Sequence, residues 1–175
     1  MYLFMFSGVP ASGKSTIAKA VATHYKLPYF SRDNTQRFLY QRGLVSKNTV
    51  DGYLWMLEMG RVQLSVDVGC VLDAVFGKQG FRYEAQAIAE QFGAQFVPVY
   101  CYCSDETLWK SRWHQRAESN HPAHWNNPTW ADVERIASNF ESWLDKDVIY
   151  LDAVDNVEVN MAKIVDMLAC DNSTR

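Results

Sequence analysis

The stretch Gly8-Val9-Pro10-Ala11-Ser12-Gly13-Lys14-Ser15-Thr16 fits the pattern G-x-x-x-x-G-K-[ST], in which glycines let a loop wrap around phosphate groups. The apolar run of residues 2–6 precedes it and predicts a buried strand, and an amphipathic helical pattern follows it. The N–H groups of such a loop turn inward and bind phosphate oxygens at the helix N-terminus. Lys14 is predicted to reach the β- and γ-phosphates, and Ser15 to offer its hydroxyl to Mg²⁺. The sequence therefore predicts a nucleoside triphosphate site formed by Gly8, Pro10, Ala11, Ser12, Gly13, Lys14, Ser15 and Thr16.

The chain has 175 residues, a length that predicts one domain over residues 1–175 rather than a nucleotide domain with a separate substrate domain. Substrate recognition is then expected from insertions within the fold. The formal net charge of −3 does not favour nucleic acid or an anionic membrane as a partner, although a local basic groove stays open. The apolar stretches are short and the first runs into the phosphate loop, so we expect no signal peptide, no membrane span and a cytoplasmic protein.

Short β-rich runs alternate with helical patterns along the chain, which predicts an α/β fold with a mostly parallel sheet. The predicted strands are Tyr2–Ser7, Tyr29–Phe30, Cys70–Phe76, Gln95–Tyr102 and Val148–Asp152. Three apolar stripes at helical spacing, within 81–92, 133–144 and 157–168, are typical of helices that cover the faces of a sheet.

The four cysteines lie in predicted strands or near the C-terminal helix, so we expect them to be reduced and buried. Cys101 and Cys103 are expected to face the same side of the fourth strand because they are two residues apart. Neither is followed by a Cys or His pair at zinc spacing, which favours core packing over a metal site.

Two segments fall outside the alternation of strands and helices. Residues 33–67 form a long insertion, predicted to be helical, whose Tyr, Trp, Arg and Glu side chains suit an acceptor substrate. Residues 112–130 run from an arginine-bearing helix into a loop rich in His, Pro, Asn and Trp, which predicts a lid. His121 and His124 in this loop could bind a metal, but polar residues that face solvent or substrate are the better interpretation.

Two aspartates follow predicted strands at the sheet edge where α/β proteins bind ligands. Asp73 is predicted to hold Mg²⁺, directly or through water, or to orient the acceptor; a buried turn residue is the alternative. Asp33 is a candidate general base, because phosphoryl transfer to a hydroxyl needs a carboxylate near the attacking oxygen. Its alternative role is to stabilise the N-terminus of the following helix.

Arg112 and Arg116 share one face of a helix predicted over 108–116, since they are four residues apart. Two guanidinium groups on one face suit a polyphosphate and would neutralise charge that develops on the transferred group. Ion pairing with Glu118 or other neighbouring acids is the alternative. Most of the nearby tryptophans are expected in the core, with one or two rings available to stack on a nucleobase or an aromatic acceptor.

The phosphate loop, S-R-D at 31–33, V-L-D-A-V-F at 71–76 and R-x-x-x-R at 112–116 together resemble the P-loop kinases grouped with polynucleotide 5′-kinase, zeta toxin and chloramphenicol phosphotransferase, an AAA-type kinase family. The resemblance runs from Tyr2 to about Leu168. It implies a three-layer P-loop NTPase fold with five parallel strands in the order 2-3-1-4-5.

The resemblance also implies roles for individual residues. Asp33 would be the base, Asp73 the acid of the metal side, and Arg112 and Arg116 the lid arginines. Basic residues near these motifs are expected to contact the acceptor or its phosphate; they are Arg37, Lys78 and Arg82.

Two positions differ from the polynucleotide kinases of this group. Gln36 stands where those enzymes carry an arginine for the substrate phosphate, three residues after the base. Asn34 stands where a second acid is often found. The first difference disfavours a nucleic-acid 5′ end as the acceptor, and the second gives no support for carrying the substrate of those enzymes over to this chain.

The main hypothesis is an ATP- and Mg²⁺-dependent kinase that transfers the γ-phosphoryl group to a hydroxyl of a small molecule. A polynucleotide 5′-hydroxyl kinase is the nearest enzymatic alternative and would need a basic groove between the insertion and the lid. An ATP-binding conformational switch with little turnover is the alternative of another class. The sequence favours the enzyme, because a strand-end acid beside the phosphate loop has no evident use in a pure switch.

Overall fold

The computed structural model describes residues 1–47, 49–119, 127–144 and 147–173. Within these residues the chain forms five strands and seven helices. In chain order they are β1 (Tyr2–Ser7), α1 (Lys14–Tyr25), β2 (Tyr29–Ser31), α2 (Arg32–Gln41), α3 (Asp51–Leu64), β3 (Cys70–Asp73), α4 (Gln79–Gln91), β4 (Gln95–Tyr102), α5 (Glu106–Glu118), α6 (Trp130–Ser138), β5 (Ile149–Asp152) and α7 (Val157–Ser173). None of the described helices is long and apolar enough to cross a membrane.

The strands form one sheet in the order β2-β3-β1-β4-β5, and every neighbouring pair is parallel. This confirms the predicted α/β fold and strand order. Parallel strands end at the same edge of the sheet, so the loops that follow β1, β2, β3 and β5 lie on one side of the molecule.

The central strand β1 explains why the helices form a layer on each face of the sheet. Leu3 and Met5 pack in a core cluster with α3 and α4, whereas Phe4 and Phe6 pack in a second cluster with α1 and α7. All four side chains are fully buried. A strand that is covered on both faces has no need for polar residues, so residues 2–6 form a continuous apolar run. The predicted three-layer arrangement is confirmed.

Helices α2 and α3 occupy the predicted insertion and are joined through one buried glutamine. The Gln36 amide donates to the backbone oxygen of Ser46 (2.9 Å) and to the hydroxyl of Thr49 (3.0 Å), and its Oε1 accepts from the N–H of Gly52 (2.8 Å). Gln36 is fully buried, and a Cβ at position 52 would lie only 2.9 Å from Oε1. Gln36, which stands where the polynucleotide kinases of the resembled group carry a substrate-binding arginine, therefore has a structural role here.

The third strand is shorter than predicted. β3 ends at Asp73 instead of residue 76, because the chain then leaves the ladder. Val75 accepts a hydrogen bond from the N–H of Gly8 (3.1 Å), and Phe76 has a φ of 45°. The segment after β3 thus supports the phosphate loop.

Two other predictions, the length of the apolar stripe on α6 and the burial of the cysteines, were partly wrong. Helix α6 ends at Ser138, so the apolar residues at 140 and 144 do not extend its stripe. The cysteines are free, but only Cys70 and Cys101 are buried, and Cys103 lies past the end of β4.

Candidate active site

The loop between β1 and α1 has the backbone of a phosphate-binding loop. Gly8 has a φ of 143° and lies so close to β4 that a Cβ would be 2.2 Å from the backbone oxygen of Cys101. Gly13 has a φ of 79°, and Ala11 one of 63°. Left-handed positions directly before a helix turn successive N–H groups toward one concavity, which favours an anion. Lys14 begins α1 and is only 6% exposed, so the lysine lies within this loop rather than in solvent.

This loop forms the floor of a cavity of about 710 Å³ at the carboxyl edge of the sheet. The β2–α2 junction, helix α5 and the segment after β5 form its walls. The lining residues that the sequence predicts are Ala11, Ser12, Gly13, Lys14, Ser15, Thr16, Asp33, Arg112 and Arg116. Those that it did not predict include Tyr29, Ser31, Asn34, Leu151, Ala153 and Asn160. The candidate base, the loop lysine and both arginines thus meet at one cavity.

Asp33 lies in the first turn of α2 and contacts two arginines. Its Oδ1 is 3.2 Å from Nη1 of Arg32, and its Oδ2 is 3.8 Å from Nη2 of Arg116. The Asp33 side chain is 48% exposed. Ser31, not Asp33, is the N-cap of α2. The ion-pair partner of Arg116 is therefore Asp33, the candidate base on α2, and not one of the acids close to Arg116 in sequence.

Tryptophans hold α5 over the phosphate loop. Trp109 donates from Nε1 to the backbone oxygen of Pro10 (2.8 Å), and Trp113 donates to that of Pro128 (3.0 Å). Both rings meet the ring of Trp130 edge to face, with centroids 4.9 and 5.8 Å apart. These three indoles pack against one another and against the backbone, but each is only half-buried, so the expectation that most of the tryptophans lie in the core is wrong for them.

The predicted lid at 112–130 is described at its two ends. Arg116 donates from Nε to Oδ1 of Asn127 (3.1 Å), whose Nδ2 donates back to the backbone oxygen of Arg116 (3.1 Å). This pair of bonds closes the two ends of the lid on each other. His121, His124 and Trp125 lie in 120–126, outside the described residues.

Asp73 ends β3 beneath the phosphate loop and is only 3% exposed. Its Oδ2 accepts a hydrogen bond from the Tyr29 hydroxyl (2.5 Å), whereas no group in the described part of the chain bonds to its buried Oδ1. A buried carboxylate oxygen is costly unless a partner completes it. Mg²⁺ takes oxygen ligands and is typically held by one or two carboxylates together with substrate phosphates and water. The unpartnered Oδ1 of Asp73 and the hydroxyl of Ser15 are thus suited in chemistry to Mg²⁺ or its bound water, although Ser15 lines the cavity and Asp73 does not.

Two groups beside the loop are held in their neutral forms. Burial, and secondly the charge of Asp73, raise the pKa of the Tyr29 phenol far above its usual value, while the hydroxyls of Ser31 and Ser15 oppose part of this shift. Burial raises the pKa of the Cys101 thiol to about 12. At physiological pH the phenol remains a hydrogen-bond donor and the thiol remains uncharged.

Arg82, which we expected to contact the acceptor, has a structural role instead. It is 3% exposed, and it donates from Nε to the backbone oxygen of Phe76 and from Nη2 to that of Glu141, both at 2.7 Å. Its guanidinium lies over the rings of Phe140 and Trp143, 4.7 and 4.3 Å from their centroids. The buried arginine thus fixes the chain after α6 to the chain after β3.

The two other predicted acceptor residues also lie outside the lining of the cavity. Lys78 forms an exposed ion pair with Glu141 (3.0 Å). Arg37 is half-buried on α2. Contact of either residue with an acceptor stays a prediction.

A phosphate loop between the first strand and first helix of a parallel 2-3-1-4-5 sheet defines the class of P-loop NTPase folds. The model of the AAA domain family AAA_33 matches residues 3–141. The chain therefore belongs to this family and is a P-loop kinase-like domain, which confirms the resemblance that its motifs indicate.

Solved structures share the fold over nearly their whole length. Kti12 from Chaetomium thermophilum in complex with ADP-AlF3 is 19% identical with a TM-score of 0.72, over 94% of this chain and 98% of that chain. A gluconokinase from Sinorhizobium meliloti 1021 is 17% identical with a TM-score of 0.68, over 96% and 91%. The Mycobacterium tuberculosis APS kinase CysC in complex with AMPPNP and APS is 14% identical with a TM-score of 0.65, over 96% and 98%. No curated protein sequence matches the chain.

The sequence missed two features of the site. The strand at Tyr29 and its place beside β3 were predicted, but no local pattern indicates that the Tyr29 hydroxyl meets Asp73. The wall at 151–160, from the end of β5 into the first turn of α7, was not predicted to line the site, and the position of β5 in the sheet brings it to the cavity.

Proposed function

We propose that this protein is an ATP- and Mg²⁺-dependent kinase that transfers the γ-phosphoryl group to a hydroxyl of a small-molecule acceptor. The observation that carries the proposal is the pairing of Asp33 with Arg116 at 3.8 Å on the wall of the cavity whose floor holds Lys14. A carboxylate beside a phosphate-binding loop suits a base for an attacking hydroxyl, and the guanidinium suits the charge on the transferred group.

The phosphate-binding residues would act before and during transfer. The loop N–H groups and Lys14 would orient the β- and γ-phosphates. Ser15 and Asp73 would hold Mg²⁺, which when bound neutralises charge on the phosphate oxygens. Arg112 and Arg116 would exclude water from the cavity side and stabilise charge on the equatorial oxygens of the phosphoryl group.

Asp33 would take the proton of the acceptor hydroxyl. As the acceptor oxygen forms its bond to the γ-phosphorus, the bond from that phosphorus to the bridging oxygen of ADP breaks, and the proton passes to the Asp33 carboxylate. Its exposure of 48% leaves room for an acceptor oxygen at the cavity wall.

The test is ADP release from MgATP with a panel of sugars, nucleosides, hydroxylated antibiotics and 5′-hydroxyl oligonucleotides. We expect a small molecule in the panel to stimulate release, and Lys14→Ala and Asp33→Asn to abolish the stimulation. Asp166→Asn, which neutralises an exposed aspartate on α7, is the matched control.

Other outcomes would decide against the proposal. Stimulation by oligonucleotides alone would identify a polynucleotide 5′-hydroxyl kinase. Tight ATP binding without stimulation by any acceptor, together with no effect of Asp33→Asn, would identify a nucleotide-dependent switch.

A further inference from the structure

The hydroxyl of Tyr29 lies beside the two residues that are suited to Mg²⁺, Asp73 and Ser15. Tyr29 lies on β2, where the register pairs Ser31 with Asp73 and Tyr29 with Val71. Its hydroxyl donates to Oδ2 of Asp73 at 2.5 Å, and the hydroxyls of Ser15 and Ser31 lie close enough to the phenol to lower its pKa. One phenolic oxygen therefore lies between the carboxylate at the end of β3 and the serine at the start of α1.

We propose that Tyr29 is a positioning residue of the Mg²⁺ site. Its hydroxyl holds Oδ2 of Asp73, so that the unbonded Oδ1 is turned to the ion or to a water bound to the ion. This inference rests on the proposed function, because it concerns the Mg²⁺ that accompanies the nucleotide.

The surroundings of the ring explain why the hydroxyl is well placed to do this. The Tyr29 ring packs against the core cluster beneath α1, and the Lys19 ammonium lies 5.9 Å above it. The ring is thus fixed by packing that does not involve its oxygen. A phenylalanine would satisfy the packing alone, so the hydroxyl is explained by the carboxylate that it meets.

The geometry also indicates what removal of the Tyr29 hydroxyl would do. Without the phenolic donor, Oδ2 of Asp73 would lose its hydrogen bond while Oδ1 already has none from the described residues, and the carboxylate could rotate away from the ion. Outer groups that orient a metal ligand typically contribute about 10- to 100-fold to metal affinity. We expect the phosphate contacts of the loop to be retained, because in the described part of the chain the phenol bonds neither to the loop N–H groups nor to Lys14.

The experiment measures binding of AMPPNP by calorimetry in EDTA and at increasing Mg²⁺ concentrations. We expect Tyr29→Phe to raise the half-saturating Mg²⁺ concentration about tenfold, and to change AMPPNP affinity in EDTA by less than about twofold. Tyr25→Phe is the matched control, since it removes another phenol that packs on the same core cluster but does not line the cavity. An unchanged Mg²⁺ dependence, or a lower Tm alone, would overturn the proposal and leave Tyr29 a packing residue.

A double-mutant cycle tests the route through Asp73. In the Asp73→Asn background, Tyr29→Phe is expected to change the Mg²⁺ dependence by less than about twofold. Independent, fully multiplicative effects would show that Tyr29 does not act through Asp73. If thermal unfolding shows that Asp73→Asn is not folded, a titration of Mn²⁺ followed by electron paramagnetic resonance compares wild type directly with Tyr29→Phe.

The readout separates this inference from the proposed function. Binding of AMPPNP with Mg²⁺ requires no acceptor. Absence of acceptor-dependent turnover would thus count against the kinase proposal, while an unchanged Mg²⁺ dependence of binding would count against the role of Tyr29.

Discussion

Arg116 and Arg82 were both predicted to meet substrate, yet the structure places them in contrasting regions. Arg116 lies at the cavity with its side chain 21% exposed and faces the carboxylate of Asp33. Arg82 is 3% exposed behind the sheet edge and donates to the backbone oxygens of Phe76 and Glu141. The comparison teaches that burial and main-chain partners distinguish an arginine that stabilises the fold from one that lines the cavity.

The strongest test of the comparison is Arg116→Ala. If Arg116 stabilises the transferred phosphoryl group, we expect kcat/KM for the stimulating acceptor to fall about 10²- to 10³-fold. Steady-state ADP release would measure this, with Arg135→Ala as control because that arginine is exposed and pairs only locally with Asp132. A fall of less than about threefold would place Arg116 outside the reaction.

Arg82→Ala should affect stability rather than the reaction. It leaves two backbone oxygens unpaired and removes the packing between Phe140 and Trp143, so we expect a loss of about 2–4 kcal/mol in the free energy of unfolding. Urea denaturation would measure it, and Arg82→Lys should recover less than half of the loss because an ammonium lacks the planar fork. A lower kcat/KM at unchanged stability would instead indicate that Arg82 contacts the substrate.

Trp109→Phe tests the contact that holds α5 over the loop. It removes the hydrogen bond to Pro10 and should lower the free energy of unfolding by about 1 kcal/mol. Nucleotide affinity, measured by calorimetry, should weaken severalfold because α5 is less firmly held. In Trp55→Phe, which changes an exposed tryptophan on α3, nucleotide affinity should be unchanged; equal effects of both variants would argue against a specific contact with the loop.

Lys78→Ala should have the smallest effect. Its ion pair with Glu141 is exposed, with 62% and 40% of the two side chains accessible, and we expect Tm to change by less than about 1 °C. The KM for the acceptor should also be unchanged, since Lys78 does not line the cavity. A severalfold rise in that KM would support the acceptor contact that the sequence predicts for Lys78.

The sequence-based predictions were accurate where a strand depends on its own residues and inaccurate where its end depends on contacts with distant segments. β1 and β4 begin and end where predicted, because alternation and apolar runs are local properties of those residues. The end of β3 was predicted too late, because the hydrogen bond from Gly8 to Val75 comes from another segment. The apolar stripe of α6 was predicted too long, because Phe140 packs on Arg82 instead of continuing the helix.

The sequence by itself determined the phosphate loop and the order of strands and helices. The residues of the loop are contiguous, and their glycines, lysine and serine are recognisable without knowledge of any distant partner. Only the tertiary structure decided which basic residue reaches the cavity and which is buried, and that the Tyr29 hydroxyl meets Asp73. The physical reason is that hydrogen bonds and ion pairs act over a few ångströms in space, and the parallel sheet brings together the ends of strands that are far apart in the chain.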